Sequence, residues 1–210
     1  KWGLKFNDKK SQILMIGAKN NVNRKWLLGN KVLKETKSYK YLGTIISHTL
    51  KDTTHIDQHL ASKAKKQESY MRYVLAKNMD INRIHFGDTL WHKAILPSLD
   101  HAAAVWFNES KKANEKLSSM QYNMGKAVLK IRSMPSKAAL LGDLGWLPIC
   151  DHLNIKRISY YEHLLNMSET RLTKVVYNEL ATLHRNGKKT AFKYVDNINS
   201  LLIDKGLDFM

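Results

Sequence analysis

Five residues at helical spacing, Lys63, Lys66, Tyr70, Tyr73 and Lys77, interleave cations with phenol rings along one stripe. Cations neutralise phosphates and aromatic rings stack on bases, so such a stripe can follow a nucleic-acid backbone. Tyrosines at this spacing also commonly border a core, and both readings stay open at this point. Other chemistry has less support. His55 and His59 stand at i and i+4, the spacing of a zinc-binding helix. Between them Ile56-Asp57-Gln58 lacks a glutamate base, and no third ligand is evident. Surface histidines at a helix start explain the pair better. Cys150 sits beside Leu147, Pro148 and Ile149 and reads as a buried small hydrophobe rather than a nucleophile. No two acidic residues are adjacent, and the closest pair, Asp204 and Asp208, is expected to be solvated at a helix end. Two-metal nucleotide chemistry needs clustered carboxylate oxygens, so no metal ligand is assigned to this chain. A Gly-rich phosphate cradle is also missing, with Gly142 and Gly145 expected in an apolar turn.

The charge balance agrees with a polyanionic partner. Thirty-five Lys+Arg oppose 18 Asp+Glu, for a net charge of +17 and an isoelectric point near 9.8. An excess of this size favours nucleic acid through counterion release; a lysine-rich surface that serves only solubility is the alternative. No apolar run approaches the ~18–20 residues of a membrane span. No signal peptide opens the chain, and a single cysteine forms no internal disulfide. An intracellular protein, nuclear or cytoplasmic and not secreted, is therefore expected.

The periodicity changes near residue 52. Before it, short apolar runs alternate with turn signals. These are Ser11–Gly17, then Lys25–Leu28 and Lys31–Leu33 on either side of Gly29-Asn30, then Tyr39–Ser47. After it, Ile56, Leu60, Ala64, Gln67, Met71 and Val74 recur at steps of three and four. Further helices are expected over Asn82–Ile95, Ala113–Ile131, Asp151–Met167, Glu169–Arg185 and Thr190–Ile203. Their apolar faces include Leu117, Met120, Met124, Val128 and Ile131, and later Phe192, Val195, Ile198 and Leu202. Pro97, Pro135 and Pro148 fall where helical runs begin or break, and Asn186-Gly187 is a helix stop. The expected fold class is mainly α with a small N-terminal β region.

Four blocks in order resemble the reverse transcriptases of LINE-type (non-LTR) retrotransposons. Gly3-Leu4-Lys5-Phe6-Asn7-Asp8-Lys9-Lys10-Ser11 is similar to a pattern that follows the catalytic hairpin in that family, with Ser11 in place of the usual Thr. Tyr39-Lys40-Tyr41-Leu42-Gly43 resembles the primer grip. Trp91 to Trp106 resembles a helix, a proline break and a second aromatic-ended stretch after the thumb; His101 and Ala102 replace a usual Tyr-Gly there, and Ala104 a usual polar residue. Residues 138–149 are close to the family's Gly-Glu-Leu-Gly-x-x-Pro-Ile segment, followed by Lys156, Arg157, Tyr160-Tyr161 and Arg171-Leu172. The resemblance covers residues 3 to about 172.

The resemblance implies the C-terminal part of an RNA-directed DNA polymerase. Residues 1–52 would end the palm, 53–132 would form a thumb-like region and 133–210 a helical post-thumb region. The partner would be an RNA/DNA template–primer, together with the fingers and palm of the same polymerase. Lys10 would be an auxiliary near the incoming triphosphate. Lys40, Tyr41, Leu42 and Gly43 would serve near the primer terminus, and Lys63, Lys66, Tyr70, Tyr73 and Lys77 along the duplex. The paired-aspartate hairpin is not in these 210 residues. Mg²⁺ is therefore expected only in a complete polymerase, and this chain is expected to be inactive alone. A truncated palm sheet would leave the strand at Ser11 with an unpaired edge, making residues 1–50 the least stable part. A stand-alone basic helical nucleic-acid-binding module and a structural or protein-interaction domain are the competing functions.

Overall fold

Alternating side chains give the first part its strands, and residues at steps of three and four give the rest its helices. The computed structural model describes residues 7, 10–17, 25–50, 55, 60–77, 82–106, 111–188 and 193–207. Among these, five short strands precede a mainly helical body, an α+β arrangement of the expected class. The strands are β1 (Gln12–Leu14), β2 (Trp26–Leu28), β3 (Lys31–Thr36), β4 (Ser38–Tyr41) and β5 (Thr44–Ser47).

β1, β3 and β2 form one sheet in that order, β1 parallel to β3 and β2 antiparallel to it. Gly29 has φ +61 at the first position of the turn between β2 and β3, where a two-residue hairpin needs a residue tolerant of positive φ. Among the described residues β1 pairs only with β3. Leu27 and Val32 face each other across the β2–β3 register, yet remain 63% and 65% exposed. Both lie on a face that no described element covers. β4 and β5 form a separate antiparallel hairpin.

The helices are α1 (Ala61–Lys77), α2 (Arg83–Leu90), α3 (Leu96–Leu99), α4 (Lys111–Leu129), α5 (Lys137–Leu144), α6 (Ile149–Leu165), α7 (Leu172–Arg185) and α8 (Tyr194–Asp204). A π-helical turn, Trp91–Ile95, joins α2 to α3. The expected helix over Asn82–Ile95 thus runs on to Leu99, with Pro97 in α3 directly after the π-helical turn. Asn82 and Ser136 cap α2 and α5 by accepting from the His85 and Ala139 N–H groups.

α1 packs chiefly on α4. Leu60, Ala64, Met71 and Leu75 from one side meet Leu117, Met120, Met124 and Val128 from the other in a continuous core. Trp91 stacks on Trp146 at 4.7 Å between ring centroids, and Trp106 is buried in the same core. Gly87 lets α2 approach α4: a Cβ there would stand 2.5 Å from the Val128 side chain. Leu164, Tyr194 and Ile198 form a second cluster with Tyr160, Tyr161 and Tyr177 around it. No helix among the described residues is long and apolar enough to cross a membrane.

Three expectations change. Gly142 lies inside α5 rather than in a turn, and only Gly145, with φ +63, ends that helix. A glycine without a Cβ contact carries no local signal that distinguishes the two states. Val74 is only half-buried and Leu75, a step of four beyond Met71, occupies the core instead. His55 is not a surface residue: it is 2% exposed, with its ring 5.6 Å from that of Trp106. Ile56, His59, Thr190, Phe192 and Asp208 lie outside the described residues.

Candidate nucleic-acid interface

The β4–β5 hairpin turns at Leu42-Gly43, and both residues have positive φ, +45 and +88. That geometry matches the right-handed twist of the flanking strands but disfavours a residue such as leucine at the first position. Two histidines hold the turn in place. His101 Nε2–H donates to the Leu42 carbonyl at 2.7 Å, and the Ile45 N–H donates to His55 Nδ1 at 3.1 Å. Gly43 is required on a second ground, since a Cβ there would lie 3.1 Å from the His101 ring. The hairpin tip and the turn at His101–Trp106 enclose an apolar groove of about 510 Å³. The Leu42 side chain remains 75% exposed at the tip, while Tyr41 and Lys40 are exposed beside it.

The residue after His101 carries strain of its own. Ala102 has φ +57, a conformation in which the Cβ crowds the carbonyl oxygen, at about 1–2 kcal/mol.

On α1 the mixed stripe divides. Lys66, Tyr70, Tyr73 and Lys77 are exposed on the solvent face, with Lys77 Nζ 4.8 Å from the centre of the Tyr73 ring. Lys63 turns inward, and its Nζ donates to the Ser98 carbonyl at the end of α3. Partial burial, and then the charge of Lys40, hold the Lys63 ammonium below its usual range. Electrostatically, therefore, the hairpin and the first half of α1 are neighbours. Lys10 lies apart from both in sequence and is exposed. Its N–H and the Ser11 hydroxyl both donate to the Asn7 carbonyl, at 3.1 and 2.8 Å, forming the tight turn before β1.

Several cations are internal staples rather than contact residues. Arg157 is buried, donating to the Trp106 carbonyl at 3.1 Å and to Asn154 Oδ1 at 2.7 Å, with its guanidinium 5.2 Å from the Trp106 ring. Lys174 is buried against the Leu165 carbonyl at 2.9 Å. Arg83 joins the Leu75 and Ala127 carbonyls, near the ends of α1 and α4. Net charge counted from sequence therefore overstates what a ligand meets. Sequence reasoning missed His55 and His101 as the hairpin's supports, because their partners lie far away in the chain.

Two of the described carboxylates are engaged with side chains of the fold. Asp88 accepts from Trp146 Nε1 at 2.9 Å, and Asp100 is tied to His152 at 2.9 Å. Among the described residues no three His, Cys, Asp or Glu side chains come together. Cys150 is half-buried with Sγ 3.6 Å from Asn114 Oδ1, so it packs partly among polar atoms. In comparisons with family models, curated proteins and solved structures, nothing matches this chain.

Proposed function

We propose that the chain is the C-terminal part of a LINE-type reverse transcriptase and grips a template–primer duplex for an active centre supplied by other residues. The observation that carries this reading is the seating of the hairpin tip on the helical body. The charge of Lys40 is also the second cause, after burial, of the lowered proton affinity of Lys63 on α1. A hairpin that must hold one strand end needs a fixed backbone, and His55 and His101 supply it. Ala102 lends further support: the fold demands positive φ at the one place where this chain departs from the family's glycine.

The grip acts by charge and backbone rather than by base reading. Lys66 and Lys77 neutralise phosphates, and their attraction weakens as salt restores the counterions. Tyr70 and Tyr73, 52% and 56% exposed, offer ring faces to sugars or unpaired bases. At the hairpin, Lys40 adds charge while the Tyr41, Leu42 and Gly43 backbone meets the primer end. Lys63 positions the α1–α3 contact and touches phosphate less than its neighbours. Lys10 would assist at the triphosphate only in the complete polymerase. No step of metal chemistry is drawn for this chain.

The test is fluorescence anisotropy on a labelled RNA–DNA hybrid with a recessed 3′ end, titrated across salt. Steeply falling affinity is expected, and Lys66→Ala with Lys77→Ala should reduce the logarithmic salt slope by about two. A stand-alone basic module would bind blunt and recessed duplexes equally. The proposed grip prefers the recessed end, and Gly43→Val should abolish that preference. Affinity independent of salt would remove the phosphate reading and leave a structural or protein-interaction domain.

A further inference from the structure

The strongest feature outside that surface is a cleft of about 370 Å³ beside the C-terminal half of α1. Arg72 and Leu75 of α1, Arg83 of α2, Lys126 of α4, and Lys130 and Arg132 beyond it line the opening, with no carboxylate among the lining residues. Arg72 is held at 3.1 Å by Glu68, an exposed i,i+4 pair of little strength. The ends of α1 and α4 bring partial negative charge of about half a unit each. That cannot balance five cations. Arg83 satisfies the two helix-end carbonyls through its terminal nitrogens, and its Nε is buried with no hydrogen-bond partner among the described residues.

Lys130 adds an independent observation. α4 ends in a left-handed cap, with the Ile131 N–H donating back to the Lys126 carbonyl at 3.0 Å. Glycine is the residue that this cap favours, yet a lysine occupies it with φ +55. The chain therefore sustains a strained backbone there and places an exposed cation at the rim of the cleft. Around the α1 axis Arg72 is displaced by about 100° from Tyr73, so a strand running along the exposed stripe reaches the cleft by crossing the helix shoulder.

We propose that this cleft is a second phosphate seat, which takes a backbone phosphodiester of the same nucleic acid that lies along α1. The inference rests on the functional reading above and extends the bound surface past Lys77. It does not involve the hairpin.

A paired comparison tests it. Lys130→Gly with Arg132→Ala removes two cations at the cleft, and Lys188→Ala with Lys193→Ala removes two exposed cations elsewhere. Duplex affinity of each is measured across salt, and each protein is melted. The cleft variant should lose about two from the logarithmic salt slope and bind at least about 10-fold more weakly at moderate salt, while the control keeps the wild-type slope. Relief of the left-handed lysine should raise the melting temperature of Lys130→Gly alone by about 2–4 °C, so weaker binding cannot reflect unfolding. Equal losses in cleft and control variants would overturn the phosphate seat and leave the grip on α1 standing. So would a cleft variant that binds duplex normally but no longer sediments with phosphatidylserine vesicles, because the seat would then belong to a lipid surface. If the wild-type protein binds no duplex even at low salt, both readings fall together.

Discussion

Across the five strands only Ser47 is buried, whereas α1 to α6 with the turns between them bury Trp91, Trp106, Trp146 and both faces of the α1–α4 contact. The helical body is held by removal of apolar surface from water. The strand region is held by ladder hydrogen bonds and by a few polar ties to the body, chiefly His55 to Ile45 and His101 to Leu42. A region with an open edge and exposed Leu27 and Val32 has little local stability to resist a ligand. Its β4–β5 hairpin is tied to the helical body through His55 and His101. The grip proposed above would use that difference, a soft sheet beside one hairpin tied to the helical body.

The largest expected contrast is in amide exchange. The Gln12–Leu14 amides should exchange through local opening, orders of magnitude faster than those of Leu117–Val128, which open only with the whole body. Slow exchange throughout Ser11–Ile16 in the isolated protein would erase the distinction. Next, Trp91→Ala removes a ring stacked on Trp146 and should lower unfolding free energy by about 3–5 kcal/mol in a urea titration. Gly87→Ala tests the helix contact directly. Its Cβ would enter the Val128 side chain, for a loss of about 1–3 kcal/mol. In the opposite direction, Ala102→Gly relaxes a left-handed backbone and should stabilise the protein by about 1 kcal/mol.

The smallest effect is electrostatic. Burial and Lys40 disfavour the charged form of Lys63 in the folded state, so the unfolded chain holds that proton more tightly. Stability should therefore rise with pH between the lowered Lys63 pKa and the ordinary value of 10.5, and level off above it. Lys40→Ala should move the Lys63 resonance titration upward and shrink that rise. An unchanged titration would separate the hairpin from α1 electrostatically.

Periodicity carried most of the helical body. Leu117, Met120, Met124 and Val128 repeat at steps that admit one face, and all four are buried. Turn chemistry at Gly29-Asn30 and Asn186-Gly187 was equally local and equally legible. Contacts between distant residues were not. Nothing near His55 announces that its ring will accept from Ile45 and lie against Trp106, so a helical i,i+4 spacing pointed wrongly to the surface. Likewise Arg83, Arg157 and Lys174 count as charge in a sequence and act as carbonyl staples in the fold. The exposed positions Lys66, Tyr70, Tyr73 and Lys77 follow from amphipathicity, whereas the inward turn of Lys63 depends on where α3 ends. The cleft at Arg72, Arg83 and Lys130 draws on three helices and has no pattern along the chain.

The most direct measurement is hydrogen exchange of the protein with and without a recessed RNA–DNA hybrid. Slower exchange is expected together over Tyr39–Thr44 and Lys65–Lys77, appearing at one saturating concentration and fading together as salt is raised. Protection confined to α7 and α8, or protection of α1 with the hairpin unaffected, would contradict a single gripping surface.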